Sequence, residues 1–490
     1  MNVALIIIFG FLVLSLYLGI RAKKGKDMNL EQWTVGGRGF GALFVFLLMA
    51  GEIYTTFTFL GGSGWAYGKG GPAFYIIAYG CLALIMSYWL LPLIWKYAKE
   101  HNLMSQSDFF VSKYKSPYLG VLVSLVGVLA LIPYLVLQLK GLGLIVSTAS
   151  YGSISSTLAI WIGAISVTAY VMISGIHGSA WTAVIKDIMI LVVVVILGMY
   201  LPFHYYGGIQ PMFEAVDAAK PGFLTLPEQG MSVSWFISTV LLTALGFYMW
   251  PQNFGAVYSA KNERVFRKNA IVMPLYSLIL LFVLFVGFTA VLQVSGLKGP
   301  AVDESLLRLS IQTFDPWFVG VIGAAGLLTA IVPGSMILMT AATLMAKNVY
   351  QVFVPSASDR RISNLAKVLV PILAVVSVYF TLQGGNTIVT LLLMGYSLVT
   401  QLFPSLLLSL MKNNFVTKEG AFAGITSGVL TVAYITVTET TIGTLFPALP
   451  PAVKDLNVGI VALFVNITVM TVTSLVSRRT SKVKEEQPAA

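Results

Sequence analysis

The sequence predicts an all-α polytopic membrane protein with about 13 transmembrane helices. Three observations carry that expectation. Of the 490 residues, 57% are hydrophobic and only 10% charged, and the mean hydropathy is +0.86, values not expected of a soluble protein of this length. Apolar runs of about 20 residues recur along the whole chain. Basic residues gather in short loops between the apolar runs, and about 24 of the 30 fall on one side, which the positive-inside rule makes cytoplasmic.

The same composition narrows the function classes. Cys81 is alone and the three histidines, His101, His177 and His204, are scattered, so neither a disulfide scaffold nor a metal cluster is supported. The net charge of +11 reflects loop lysines and arginines that set orientation, not a nucleic-acid surface.

The first apolar run, about residues 3 to 20, lacks a basic start and a cleavage site and is followed by Arg21, Lys23, Lys24 and Lys26, so it reads as a retained helix with its amino end outside. Residues 1–30 form this helix and its link. Later spans are expected near 40 to 66, 73 to 95, 118 to 149, 156 to 175, 182 to 203, 232 to 254, 270 to 295, 316 to 346, 363 to 382, 387 to 411, 419 to 437 and 457 to 477. The carboxyl end is then cytoplasmic, and the tail 479–490 is expected to be disordered. Residues 105–115 read as a short amphipathic helix with Phe109 and Phe110 on one side. The outer connections 204–231, 296–315 and 438–456 are too short to fold as domains.

One stretch organises the functional reading. Leu47 to Gly64 lies in an apolar run, yet carries Glu52, the hydroxyls of Tyr54, Thr55, Thr56 and Thr58, and Gly51, Gly61, Gly62 and Gly64. A carboxylate at membrane depth costs roughly 2.5–3.5 kcal/mol and normally faces a protein interior or a wet cavity. Glycines there weaken the helix and free carbonyls to bind an ion or substrate. The span is therefore expected to be a broken helix lining a transport site, against the plainer reading of an interior helix with a satisfied acid. A counterpart occurs at Leu245 to Gly255, where Gly246, Pro251 and Gly255 flank Tyr248, Trp250, Gln252 and Asn253. If each stretch opens a repeat of five helices, the repeats are 31–205 and 232–412, separated by the outer loop 206–231 and followed by two additional helices in 413–478.

Several motifs carry a family resemblance: WTVGGRGFG, GEIYTTFTF, IPYLVLQLKG, AVIKDIMIL and WPQNFGAVYSAKNERVFRKNA. Together they resemble the sodium/solute symporter family, in particular its monocarboxylate permease-like branch, over about Glu31 to Val476. The resemblance implies a leucine-transporter-like five-plus-five inverted repeat, a substrate site midway across the bilayer and alternating access. It also implies a sodium site built from carbonyls of the first broken helix and two adjacent hydroxyls of the ninth span. Here Val332 and Pro333 stand where those hydroxyls are expected, and neither supplies a side-chain oxygen. That leaves carbonyls of Gly51 and Tyr54, with Thr329 or Ser335 as possible additions. A proton carried by Glu52, or a sodium ion bound by its carboxylate, becomes the alternative.

Around these residues, Gln138 and Lys140 follow the break at Pro133, with Tyr134 one turn before Gln138 on the same face. Gln138 is a candidate for binding a carboxylate, and Lys140 for pairing with substrate or Glu52, against a snorkelling lysine. Lys186 and Asp187 are expected at the cytoplasmic end of the sixth span, as an interface pair that fixes helix depth. Tyr248, Trp250 and Gln252 are candidates to close over and orient a substrate, with helix packing as their plain alternative. The candidate substrate residues are thus Glu52, Tyr54, Thr55, Thr58, Gln138, Lys140, Tyr248, Trp250 and Gln252. Those for ion coupling are Gly51, Glu52, Tyr54, Thr329 and Ser335.

The expected function is a secondary symporter that takes up a small monocarboxylate with Na+ or H+, with an amino acid such as proline, or pantothenate, as the alternative substrate. A channel would need a continuous polar stripe, whereas the polar residues cluster at the breaks. A membrane enzyme or sensor would need a catalytic cluster, nucleotide loop or signalling domain that the sequence does not offer. The expected partners are the lipid bilayer and a small organic anion or amino acid. No cofactor beyond a coupling ion, no nucleic acid and no obligatory protein partner is indicated.

Overall fold

The computed structural model describes residues 2–25 and 28–486. Every regular element among them is helical, apart from one parallel bridge between Phe40 and Ala260. Among the described residues ten helices are long and apolar enough to cross a membrane, and a bent pair brings the number to eleven. The first helix, Val3–Lys23, is capped by Asn2, whose side chain accepts from the Ala4 N–H and so satisfies one of the unpaired donors of a helix start.

The centre is the Pro316–Thr343 helix, which packs against Val3–Lys23, Pro117–Ala149 and Ser156–Tyr206. Its run Gly320 to Gly326 is mostly glycine and alanine, and small residues let membrane helices approach closely. The helix is almost wholly enclosed, as a polytopic core helix must be when other helices take its place against lipid.

Both interrupted helices are present. The first consists of Ala42–Gly51, a non-helical turn, a π-turn at Phe57–Gly61, and Gly62–Lys69. The second consists of Val233–Gly246, a 3-10 turn at Phe247–Met249, extended Trp250 and Pro251–Tyr258, with a 50° bend. Pro251 has no N–H to continue the ladder, which accounts for the bend. Phe40 N–H donates to the Ser259 carbonyl and Lys261 N–H to the Phe40 carbonyl, so the segments flanking the two interrupted helices are tied together. The 387 to 411 span is interrupted as well, by a 3-10 turn at Thr400–Leu402 beside Pro404.

The spans expected at 156 to 175 and 182 to 203 form one helical stretch, Ser156–Tyr206, folded at Gly175. Gly175 adopts φ 53° and ψ −150°, a conformation accessible to glycine, and Trp33 occupies the space a side chain would need. The Trp33 indole donates to the Val171 carbonyl at 3.1 Å, which holds the fold of the chain in place. At 1.5 Å per residue a straight helix of this length would be about 76 Å long, far more than one crossing of a bilayer core.

The amphipathic helix is found at Gln106–Tyr114, opened by a reciprocal capping box of Ser105 and Asp108. At the carboxyl end the helix Val458–Glu486 continues past Arg479, so the tail expected to be disordered is helical as far as Glu486. The remainder of that tail lies outside the described residues.

Candidate functional site

The break after Gly51 turns the chain so that the Glu52 side chain enters the protein interior, where it is 8% exposed. Its Oε2 accepts from the Tyr134 hydroxyl at 3.2 Å and from Gln252 Nε2 at 2.9 Å, while Oε1 has no partner. Tyr134 belongs to Pro117–Ala149, and Gln252 directly follows the proline of the second interrupted helix. Glu52 therefore joins both broken helices and the helix between them.

Aromatic rings close the space beside it. Trp250 lies 4.7 Å from Tyr134 and 5.3 Å from Tyr396 between ring centroids, and Tyr396 lies 6.0 Å from Tyr79. One turn beyond Tyr134, Gln138 is 1% exposed and neither its amide oxygen nor its nitrogen has a partner. A turn further, Gly141 leaves room for Thr56 of the break, so this face of the helix follows the interrupted segment. Gln252 Oε1 is also buried without a partner, and the Tyr248 hydroxyl is buried beside Ser87. An unsatisfied buried polar atom costs roughly 1–3 kcal/mol, and such a concentration calls for a functional account.

The remaining candidate side chains are engaged elsewhere. Thr58 Oγ1 accepts from the Thr55 N–H and donates to the Thr55 carbonyl, and Thr55 Oγ1 accepts from the Phe57 N–H, so both hydroxyls cap the break. Tyr54 donates its hydroxyl to the Tyr276 carbonyl, while its own carbonyl accepts from Lys186. Thr329 donates to Gly326 of its own helix. Ser335 donates to the Val332 carbonyl and lies 2.7 Å from the Ser179 hydroxyl. Asn253 Nδ2 and Gln106 Nε2 satisfy carbonyls freed at the second break, those of Phe247 and Met249.

Two lysines differ from expectation. Lys140 is not at Glu52: it forms an ion pair with Asp303 at 2.6 Å and donates to the Asn386 carbonyl at 2.8 Å. The reason is geometric, since Lys140 follows Tyr134 by six residues, about 9 Å along the axis and on another face. Asp303 also accepts from the Ile388 N–H, which closes a three-way contact at one end of the bundle. Lys186 is not at an interface either, since its side chain has no exposed surface. Sequence reading overlooked Asp303, Tyr396 and Tyr79, because a loop acid and isolated aromatics in apolar runs carry no local signal.

Comparisons with known proteins agree with this architecture. A model of the sodium:solute symporter family matches residues 33–428. The uncharacterized symporter YhjB of Bacillus subtilis (strain 168) is 75% identical over 489 residues, covering 100% of both chains. A monocarboxylate transport permease protein of Rhizobium johnstonii is 27% identical over 432 residues, 86% of each chain. Among solved structures, the substrate-bound outward-open state of a Na+-coupled sialic acid symporter superposes with a TM-score of 0.77 at 16% identity, covering 97% of this chain and 98% of the other.

Proposed function

We infer, from the premise that this chain belongs to the sodium:solute symporter family, that it takes up a small monocarboxylate by alternating access, together with Na+ or H+. It is a multi-pass symporter of the cell membrane, not an enzyme. The observation that carries the substrate reading is the group of buried, unpartnered polar atoms at the helix breaks, on Glu52, Gln138 and Gln252. An anion entering this space meets the Gln138 amide as donor, and the exposed ends of the half-helices, with Tyr248 on the wall of the second break. Trp250, Tyr134 and Tyr396 form an apolar wall suited to a short hydrocarbon chain. The likeness to the rhizobial permease supports the same substrate class.

In this reading the long kinked helix counts as two crossings and each interrupted helix as one, which gives about thirteen in all. Residues 31–205 and 232–412 are the two five-helix repeats, 206–231 the outer loop between them, and 413–478 two additional helices. With the amino end outside, Lys140, Asp303 and Asn386 form an outer closure, and Asp108, Lys347 and Asn348 an inner one. Gly51, Glu52 and Tyr54 supply the ion-coupling position at the first break, with Thr329 and Ser335 on the facing helix. Na+ is the ion the family implies, and the titratable groups at the breaks make H+ its competitor.

Uptake of labelled pyruvate into proteoliposomes, under separate Na+ and H+ gradients, tests the reading. Unlabelled pyruvate should compete and pyruvamide should not. Equal competition by the amide removes the carboxylate, and absence of uptake under both gradients removes pyruvate-like acids as substrates.

A further inference from the structure

At the end of the bundle read above as inner, a cleft of about 50 Å³ is lined by Arg38, Trp95, Lys99, Tyr258 and Lys261. Its walls come from three parts of the chain. Gly36, Gly37 and Arg38 have φ of 62°, 67° and 59°, and the turn they make brings the Arg38 guanidinium to Glu31 and to the Leu103 carbonyl, each at 2.9 Å. Trp95 and Lys99 belong to the last turns of the Tyr75–Glu100 helix, where the Lys99 ammonium lies 4.8 Å from the centre of the Trp95 ring. Tyr258 ends the second interrupted helix, and the Trp95 indole donates to the Ala260 carbonyl at 2.9 Å. The contacts of Phe40 with Ser259 and Lys261, which tie the flanks of the two interrupted helices together, therefore border this cleft.

Two observations point to an anionic ligand. The first is positive charge in excess of its counterions. The positive-inside rule accounts for basic residues in inner loops, but not for three of them meeting at one cleft, where like charges repel. Glu31 engages Arg38 alone, the Asp108 carboxylate is held by Lys347 and Asn348, and neither Lys99 nor Lys261 forms an ion pair among the described residues. The Arg38 guanidinium has five N–H groups and uses two of them on Glu31 and Leu103. The second observation is Tyr258, which is 1% exposed and whose hydroxyl has no hydrogen-bond partner. A buried donor left unpaired is costly, and an oxygen-rich anion in the cleft would satisfy it. Size limits the ligand further. A volume of about 50 Å³ holds roughly four water-sized atoms, which suits one tetrahedral oxyanion and not a nucleotide base or a hydrocarbon tail.

We propose that this cleft binds a phosphate group through Arg38, Lys99, Lys261 and the Tyr258 hydroxyl, and that the bound phosphate holds the inner side closed. Guanidinium and ammonium groups are the usual partners of phosphate oxygens, the former through paired N–H donors. The proposal rests on the alternating-access reading above. Opening the inner side separates the flanks of the interrupted helices, which parts Arg38 from Tyr258 and Lys261 and dismantles the site. A ligand that binds the closed form alone shifts the population toward it. Phosphate in this cleft is thus an inhibitor of inner opening, supplied by a free phosphate of the cell or by a phospholipid headgroup of the inner leaflet.

The test uses full-length protein in maltoside micelles, which carry no phosphate, with inorganic phosphate as probe and chloride at equal ionic strength as control. No transport substrate is present, so a failure of the monocarboxylate reading leaves the result intact. Equilibrium dialysis with labelled phosphate should show one site per chain. Lys99→Gln/Lys261→Gln, at two exposed side chains, and Tyr258→Phe, which removes one oxygen, should each weaken binding by about tenfold or more, the scale of a hydrogen bond to a charged group. Closure is read by Thr343→Cys in a Cys81→Ala background. Thr343 is 3% exposed in a narrow crevice shared with Thr34, Ser105 and Pro251, so labelling by a thiol reagent reports inner opening. Phosphate at about ten times its dissociation constant should slow that labelling about tenfold, and should not slow it when the cleft substitutions are added. Displacement of labelled phosphate by phosphatidic acid, and not by diacylglycerol, assigns the site to a headgroup, and displacement by neither assigns it to the free anion. Absence of saturable phosphate binding overturns the proposal. Binding unchanged in the variants, or binding that leaves the labelling rate unchanged, means an adventitious ion only and overturns it as well.

Discussion

Gln252 Nε2 donates to Glu52 Oε2 at 2.9 Å, linking residues 200 positions apart at the breaks of the two interrupted helices. The contact is buried, and Glu52 keeps its second oxygen free. One carboxylate thus reads the relative position of both broken helices and still has a lone pair for an ion or proton. Alternating access requires such an element, whose bonds differ between states.

The Lys140–Asp303 pair predicts a kinetic effect without a binding effect. Lys140 bridges Asp303 and the Asn386 carbonyl away from Glu52, so Lys140→Gln should alter the maximal uptake rate while the half-saturating pyruvate concentration changes less than about twofold. A large rise in that concentration with an unchanged maximal rate would return Lys140 to the substrate.

Asp108 gives a prediction for pH. Burial alone would raise its carboxyl, but the Lys347 ammonium, the Met104 N–H and the Asn348 amide outweigh burial and hold it below the usual carboxylate range. A depressed folded value means that the contribution is complete above the unfolded pKa, about 3.9, and is lost as pH falls through the folded value. At neutral pH Asp108→Asn should cost roughly 1.5–3 kcal/mol, the scale of hydrogen bonds to a charged group. Thermal melting in detergent should show a gap between wild type and variant that narrows as the solution becomes strongly acidic. A gap independent of pH would mean that the carboxylate's charge contributes nothing.

Orientation is checked by thiol labelling. In a Cys81→Ala background, a cysteine at Gly222 should react with an impermeant reagent on intact cells, and one at Ser358 should not, if the orientation proposed from the basic loops holds. Gly222 lies in an exposed turn and Ser358 caps the Asp359–Gln383 helix. Labelling at Ser358 from outside would invert the topology.

Much of the fold was legible because hydropathy locates membrane spans and breakers locate interruptions. Glu52, Gln138 and Gln252 stood out as polar residues beside glycine or proline in apolar runs. The fold at Gly175 was less legible: residues 176–181 looked like a connecting loop, and only Trp33, distant in sequence, shows that one glycine makes the turn. Lys186 was misread because a charge beginning an apolar run ordinarily marks an interface. Its burial depends on a half-helix more than a hundred residues earlier. Asp303 gave no signal, since its partners Lys140 and Ile388 come from separate helices.

Glu52 supplies the last prediction. Replacement by Gln keeps the size, and the Gln252 donor still finds an amide oxygen, but the variant loses the titratable charge at the junction of both broken helices. If Glu52 couples substrate movement to an ion, Glu52→Gln should bring pyruvate inside to the external concentration and no further, a loss of about tenfold where a one-unit gradient drives one proton per anion. Should Glu52 only position Gln252 and Tyr134, the amide would preserve accumulation and Glu52→Ala would weaken pyruvate affinity instead. Full accumulation in Glu52→Gln with unchanged ion dependence therefore removes Glu52 from coupling and leaves it a positioning residue of the substrate site.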